Sequence, residues 1–250
     1  NVTLMGNYVV PFAGLGFRAK YLKNVHNLSY KKFVASLMLM YPIQIAVFSF
    51  WGCIGVFIAY TTQKFFDPIL ALMLIGITIS PIFLLFALPK IASFTQIEQL
   101  QAASKQLHRV KTQPGYMLTL FTQASLMYLG AFSSLALTVK ALGYQIPLVG
   151  AALAAAVSNV TAFIKIAPAA IGSYDLAIIY IGQAFGLDLA EGVVVATVTR
   201  LFLMLWFFIL GPFYSYFLVR DMAKSPKSAA LNASLLAKKS ESINPKTLVL

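Results

Sequence analysis

Three ionisable side chains stand inside or beside long apolar runs: Lys165, Asp175 and Arg200. A charge in hydrocarbon is costly and is tolerated where it pairs or lines a protein-walled, watery cavity. Arg200 lies in the first half of the apolar run Gly192–Phe217. Asp175 is the only acidic residue in Lys165-Ile-Ala-Pro168-Ala-Ala-Ile-Gly172-Ser-Tyr-Asp175-Leu-Ala. A guanidinium offers a planar fork of donors that matches a carboxylate or a phosphate. Ion pairing and anion binding are therefore the chemistry open to these residues. Catalysis has less to work with. No nucleotide-binding glycine loop, HExxH, paired acidic motif or Ser/His/Asp set is present, and the chain holds 7 acidic residues. His26 and His108 both stand among basic residues, and His108 has no second His or Cys at ligand spacing, so neither a metal nor another cofactor is expected.

The element that positions these charges is a break. Pro168 lacks a backbone donor and Gly172 has no side chain to hold a helix, so the run should be interrupted there. Within a bilayer, broken backbone is tolerated where it is buried in protein or lines a cavity. Asp175 to Phe185 is apolar but about half the length needed to cross. The spacing predicts a re-entrant or interrupted helix whose kink carries the polar groups. The alternative is a Pro-kinked transmembrane helix with Asp175 near its end.

Composition sets the class. Of 250 residues, 60% are hydrophobic and only 10% charged, and mean hydropathy is +0.81. Soluble domains carry about a quarter charged residues, so this is a polytopic, all-α membrane protein. A net charge of +12 would point to nucleic acid in a soluble chain. Here the basic residues fall mostly in short polar connectors, where they set orientation and meet lipid headgroups, so no nucleic-acid partner is expected. The single cysteine, Cys53, rules out an internal disulfide. No signal peptide is visible, and the membrane domain is expected to lack its first helix.

In chain order, a Pro11–Gly14–Gly16 break precedes a connector bearing Arg18, Lys20, Lys23, Lys31 and Lys32 with no acid among them, which marks it as cytoplasmic. Spans are expected at Phe33–Tyr60, bent at Pro42, and at Pro68–Leu88, Tyr116–Val139 and Gly192–Phe217. Between Pro89 and Gly115, apolar Ile91, Phe94, Ile97, Leu100, Leu107 and Val110 predict an amphipathic helix on the membrane surface. Asp188 three residues before Glu191 has the spacing of a capping box, which predicts a helix start. Residues 1–220 read as one transmembrane domain and 221–250 as a basic, disordered cytoplasmic tail. Asn-x-Ser/Thr triplets at Asn1, Asn27, Asn159 and Asn232 read as chance matches.

The two ends of the chain also resemble each other. Each runs Asn (Asn7, Asn159), Pro (Pro11, Pro168), Gly (Gly16, Gly172), then a polar residue, a helix-start signal and a long apolar span. The first unit's connector is basic, whereas the second holds Asp188 and Glu191 and no Lys or Arg. Positive-inside logic places the two connectors on opposite sides, which is the pattern of an inverted repeat with a site at its interface. Coincidence is the alternative, because Pro and Gly are common in membrane helices.

The run Pro168-Ala-Ala-Ile-Gly172-Ser-Tyr-Asp175, then Phe185-Gly186-Leu187, then Ala196-Thr-Val-Thr-Arg200-Leu resembles the signature of the lysylphosphatidylglycerol synthase transmembrane-region family. That signature is a Pro-Gly-Gly-x-Gly run followed by an acidic residue, and later an Ala-rich stretch ending in Arg-Leu. Pro11–Leu22 with Asn24–Leu28 is similar to the family's first half, so the resemblance covers most of residues 1–220. Two departures matter. Ala169 and Ala170 stand where glycines are usual, making the break less flexible, and Asp175 replaces the usual Glu, keeping the charge with shorter reach.

The resemblance implies a flippase-like, multi-pass protein of the cell membrane that handles a polar-headed phospholipid or isoprenoid lipid, since relatives include the domain that moves aminoacylated phospholipid between leaflets. Its implied partners are membrane lipids with an anionic or lipid-linked headgroup, and a further copy of the chain or a fused or partner synthetase domain. Arg200 then either pairs with Asp175 or binds a lipid phosphate, with Lys165 and Arg18 as second candidates for headgroup contact. Pro11, Gly14, Gly16, Pro168 and Gly172 would be the hinge residues. For Arg200 the alternative is snorkelling to the interface, and for Arg18, Lys20 and Lys23 an ordinary cytoplasmic charge cluster. The competing functions are a membrane component of an enzyme for lipid-linked aminoacyl or glycosyl transfer, and a non-transporting assembly subunit. No nucleotide site is visible, so ATP coupling within the chain is not expected.

Overall fold

Long apolar runs and few breakers leave helices as the only way to satisfy the backbone without water. The structure, a computed structural model, describes residues 13–94, 114–163 and 172–223 with positions 101, 104 and 107. Among the described residues it is helical, without strands: α1 (Ala13–His26), α2 (Tyr30–Gln63), α3 (Pro68–Phe94), α4 (Pro114–Ala141), α5 (Leu148–Thr161), α6 (Ser173–Ala184) and α7 (Leu189–Ala223). Three stretches, Tyr30–Gln63, Gly115–Ala141 and Leu189–Phe217, are long and apolar enough to cross a membrane. Ile69 and Leu72 on α3, Leu118 and Leu137 on α4, and Phe202 and Ile209 on α7 are all more than half exposed. So much outward apolar surface does not suit water and does suit lipid. The protein is a membrane protein.

The chain divides into two compact units, one of residues Lys31–Leu205 and one of Asn1–Tyr30 with Trp206–Leu250. The larger unit buries a core drawn from several helices, with Leu74 of α3, Leu135 of α4, Leu153 and Ala156 of α5, Ile178 and Ile181 of α6, and Val195 of α7.

The starts of α3 and α7 follow from short acidic caps. Asp67 accepts the N–H groups of Ile69 (2.9 Å) and Leu70 (3.1 Å) on Oδ1, with Pro68 as first residue of α3. Asp188 and Glu191 form the expected reciprocal box: Glu191 N–H donates to Asp188 Oδ1 (2.8 Å), and Asp188 N–H donates to Glu191 Oε2 (3.0 Å). At α6 the cap residue is Gly172 with φ +93°, a conformation that glycine adopts without steric cost.

The expected interruption is present, as an antiparallel hairpin rather than a kinked continuous helix. Ser173 Oγ, opening α6, donates to the carbonyl of Thr161, closing α5, at 3.3 Å. At the other end, Gly150 near the start of α5 lies against the Phe185 ring just past α6. The two arms are about 21 and 18 Å long at 1.5 Å per residue, each short of a hydrocarbon core of about 30 Å. α2 runs beside α5 in the opposite sense. Gly55 faces Leu153 and Gly52 faces Ala156, and Phe163 packs edge-on to Tyr41 at 5.7 Å and tilted on Phe48 at 6.2 Å. The tip of the hairpin thus lies beside the middle of α2, and its base beside the end of α2, where Phe65 meets Phe185 at 5.0 Å.

Several expectations are corrected or fall elsewhere. Gly14 and Gly16 lie inside α1, which runs unbroken from Ala13, so the chain is not interrupted at these two residues. A helical glycine costs about 1 kcal/mol against Ala, and the neighbouring Ala, Leu, Lys and Arg are good helix formers. Arg18, Lys20 and Lys23, in the stretch expected as a connector, accordingly sit on a helix. Pro11, the amphipathic stretch beyond Phe94, Lys165, Pro168 and the 224–250 tail lie outside the described residues, apart from the isolated positions 101, 104 and 107.

Two outcomes test this arrangement. A Cβ at Gly150 would stand 2.8 Å from Phe185 Cγ, whereas one at Gly76 on α3 would meet nothing within 4 Å. Gly150→Ala should lower stability by about 1–3 kcal/mol through overpacking, and Gly76→Ala should be neutral or stabilising by up to about 1 kcal/mol, read by unfolding in mixed micelles. The second concerns Asp67, whose carboxyl is held below its ordinary value first by the Tyr180 hydroxyl that donates to it and then by the Leu70 N–H. A depressed folded-state value means the contribution is present above the unfolded carboxylate value and is lost as pH falls through the folded one. The stability gap between wild type and Asp67→Asn should be flat near neutrality and close below about pH 4; a gap that widens on acidification would contradict this account.

Candidate functional site

Asp175 stands in the first turn of α6, where the positive end of the helix dipole favours a carboxylate. Its Oδ2 accepts the N–H of Gly172 at 3.1 Å, so the side chain helps to hold the turn that opens the helix. Arg200 reaches it from α7. Arg200 Nε donates to Asp175 Oδ1 at 2.9 Å, and Arg200 Nη2 lies 2.8 Å from Asp175 Oδ2. The pair is bidentate, the geometry in which guanidinium and carboxylate interact most strongly.

Position along the helices follows from close packing. Gly192 lets α7 approach the backbone of α6, since a Cβ there would be 3.3 Å from Ile179 Cα. From that crossing the two helices continue until Asp175 and Arg200 meet near the hairpin tip. Arg200 lies about 17 Å along α7 from Leu189, well inside a hydrocarbon core of about 30 Å if α7 begins at its edge. The side chains of Arg200 and Asp175 are 14% and 24% exposed, so the pair is sheltered without being sealed.

Neighbouring groups complete the site. The Tyr174 ring lies under the guanidinium with Arg200 Cζ at 5.8 Å from its centroid, within reach of a cation–π contact. Thr199 is 2% exposed, and its hydroxyl has no hydrogen-bond partner among the described residues. An open groove of 640 Å³ on α4, lined by Leu118, Thr119, Thr122, Gln123, Leu126 and Met127, includes neither charged residue and lies outside the site.

Of the four charged residues predicted for the site, the structure brings two together. Asp175 and Arg200 pair, so Arg200 does not snorkel away alone. Arg18 is exposed on α1 in the other unit, and Lys165 lies outside the described residues. Among the hinge residues, Gly172 is at the break, Gly14 and Gly16 are helical, and Pro11 and Pro168 are not described. Sequence reading missed Tyr174, Ser173 and Thr199. Their adjacency to Asp175 and Arg200 was the available signal, but only the packing of α7 on α6 turns it into contact.

A charge pair of this kind should behave as a unit. In a double-mutant cycle of Asp175→Asn and Arg200→Gln, unfolding in mixed micelles should return a coupling energy of about 1–3 kcal/mol. Additive single effects would mean that the pair contributes nothing.

A family model described as the lysylphosphatidylglycerol synthase TM region matches residues 1–211. No curated protein and no solved structure matches the chain.

Proposed function

The chain belongs to the lysylphosphatidylglycerol synthase TM region family, and on that premise we propose that it shelters the headgroup of a polar-headed membrane lipid and moves it through hydrocarbon. The observation that carries this reading is the bidentate Asp175–Arg200 pair at the tip of a half-length helical hairpin, partly exposed beside the middle of α2.

A headgroup cannot enter hydrocarbon unless its polar atoms keep partners. Arg200 supplies a fork that suits a phosphate as well as it suits Asp175. An arriving phosphate competes with the Asp175 carboxylate for the guanidinium. Asp175 keeps the Gly172 N–H as a partner when this happens, so its charge is not stranded. Tyr174 gives the guanidinium an aromatic face that persists whichever anion it holds. Departure of the headgroup restores the pair. In this cycle the carboxylate is a placeholder that makes the empty site tolerable.

The reading extends to parts that the pair does not touch. We take the hairpin as re-entrant, with the chain between Thr161 and Gly172, including Lys165 and the Pro168 turn, forming its apex. We take α1 and α2 as the inverted counterparts of α6 and α7, with Arg18 as a second headgroup contact. Charge balance supports a cytoplasmic face at the Arg18–Lys32 end and for the tail.

The test is transport in vesicles. Reconstituted Arg200→Ala should move a labelled phospholipid about tenfold more slowly, a change of about 1.4 kcal/mol, with helicity and membrane insertion retained. Arg200→Lys, which keeps the charge but not the fork, should fall between. Unchanged movement in Arg200→Ala would discard this role for the pair.

A further inference from the structure

The outward face of α4 is not the kind of surface that lipid selects. A helix of the same unit shows the contrast. On α3, Ile69, Leu72, Ile79 and Phe83 share one side at 100° per residue and are all more than half exposed. That side suits hydrocarbon. On α4, Ala124, Tyr128 and Leu135 form the buried side. Opposite them stand Thr119, Thr122, Gln123, Leu126, Gly130 and Ser133, all exposed. Only Leu126 among these is a large apolar residue. The open groove of 640 Å³ lies on this side, against Thr119, Thr122, Gln123 and Leu126.

The depth of these groups makes them costly. α4 is long and apolar enough to span over Gly115–Ala141. At 1.5 Å per residue, Thr122 through Ser133 fall within about 9 Å of its midpoint, inside the roughly 15 Å half-thickness of a hydrocarbon core. Thr119 spends its hydroxyl on the Gly115 carbonyl at 2.8 Å. The side chains of Thr122, Gln123 and Ser133 make no hydrogen bond among the described residues. Acyl chains offer neither donor nor acceptor, so a polar group that faces them stays unpaired at a cost in free energy. Gln123 is the largest of these groups, with an NH2 and a carbonyl on one outward side chain.

We infer that this face of α4 docks a second copy of the chain, α4 against α4, about a two-fold axis along the membrane normal. Both copies insert in the same orientation, so the two helices run parallel and residues of equal depth meet themselves. An amide is its own complement, because its N–H donates to a carbonyl of the same kind. Gln123 therefore finds in a second Gln123 the partner that acyl chains lack. Thr122, Leu126 and Gly130 recur every four residues, the row along which helices with small residues approach closely in a membrane. A Cβ at Gly130 would meet nothing within 4 Å, so the glycine relieves no crowding inside the protomer and leaves room for another backbone. A headgroup cannot serve at this depth, and a second copy already carries the matching groups. The face does not include Asp175 or Arg200, and the inference does not rest on lipid movement.

The oligomeric state of the full chain in phospholipid vesicles tests this face, counted by single-molecule photobleaching over a range of protein-to-lipid ratios. Wild type should pass from monomer to dimer as the ratio rises. Gln123→Leu should move that transition to a ratio about three- to tenfold higher. Gly130→Leu, whose side chain enters open space in the protomer, should move it by about tenfold or more. Leu72→Ala, on the lipid-facing side of α3, should leave it unchanged, and all three variants should keep wild-type helicity. Cross-linking reads the position: in a Cys53→Ser background, Gln123→Cys and Leu126→Cys should form disulfide-linked dimers under mild oxidation faster than Leu72→Cys does. A wild type that stays monomeric at every ratio overturns the inference, whether or not lipid or another protein is found on α4. A dimer that neither Gln123→Leu nor Gly130→Leu weakens, or that cross-links as readily through Leu72→Cys, also overturns it and puts the interface elsewhere.

Discussion

Hydrocarbon does not tolerate a lone charge, and the architecture around Arg200 follows from that constraint. An arginine in the middle of an apolar helix costs roughly 2.5–3.5 kcal/mol on insertion scales, and a carboxylate opposite it is the direct remedy. The carboxylate has the same problem. Asp175 solves it by standing in the first turn of a helix, where a backbone N–H and the helix dipole face it as well. A helix that begins beside Arg200 is what allows this, and α6 is such a helix. The break in the backbone and the buried charge are two consequences of one requirement.

A helix beginning inside the bundle creates a further problem, because its first N–H groups lack partners. Asp175 answers part of it by accepting the Gly172 N–H, and the Ser173 hydroxyl joins the two arms at the tip by donating to the Thr161 carbonyl at the end of α5. At the base, the arms are held by shape: Gly150 against Phe185, and Phe65 against the same ring. Gly52 and Gly55 let α2 lie flush along α5, and Gly192 lets α7 lie on α6. In membranes, where apolar contact alone gives no preference for protein over lipid, such close approach is the main source of helix association. Polar links add to it, with Trp51 Nε1 donating to Ser125 at 3.1 Å and Tyr128 donating to the Ala152 carbonyl at 3.1 Å. A closely packed frame therefore surrounds a site whose two charged partners remain partly open.

The two ends of α2 differ in charge. Lys31 and Lys32 stand in its first turn, whereas past its last turn come Asp67 and the hairpin base, where Asp188 and Glu191 lie. Tyr180 of α6 donates to Asp67, so the loop after α2 holds the second arm of the hairpin. The acids at this end serve mainly as helix caps.

Much of this was legible in the chain. Hydropathy and the scarcity of charge dictated a helical membrane protein, because no other backbone arrangement of such a sequence satisfies itself in lipid. Asp188 and Glu191 announced a helix start, since capping is chemistry over three residues. Pro168 and Gly172 announced an interruption, and the Arg200 charge demanded a partner. Other features were not local. Pro11, Gly14 and Gly16 gave the same signal as Pro168 and Gly172, yet Gly14 and Gly16 are helical, because a glycine permits a break without requiring one. Whether the interrupted run kinks or folds back depended on Gly150 meeting Phe185 and on α2 offering Gly52 and Gly55 as a track. That Arg200 meets Asp175, with Tyr174 beside it, depended on how closely α7 packs on α6 at Gly192. Composition and spacing determine which groups need partners; only the packing of helices distant in sequence decides which partners they find.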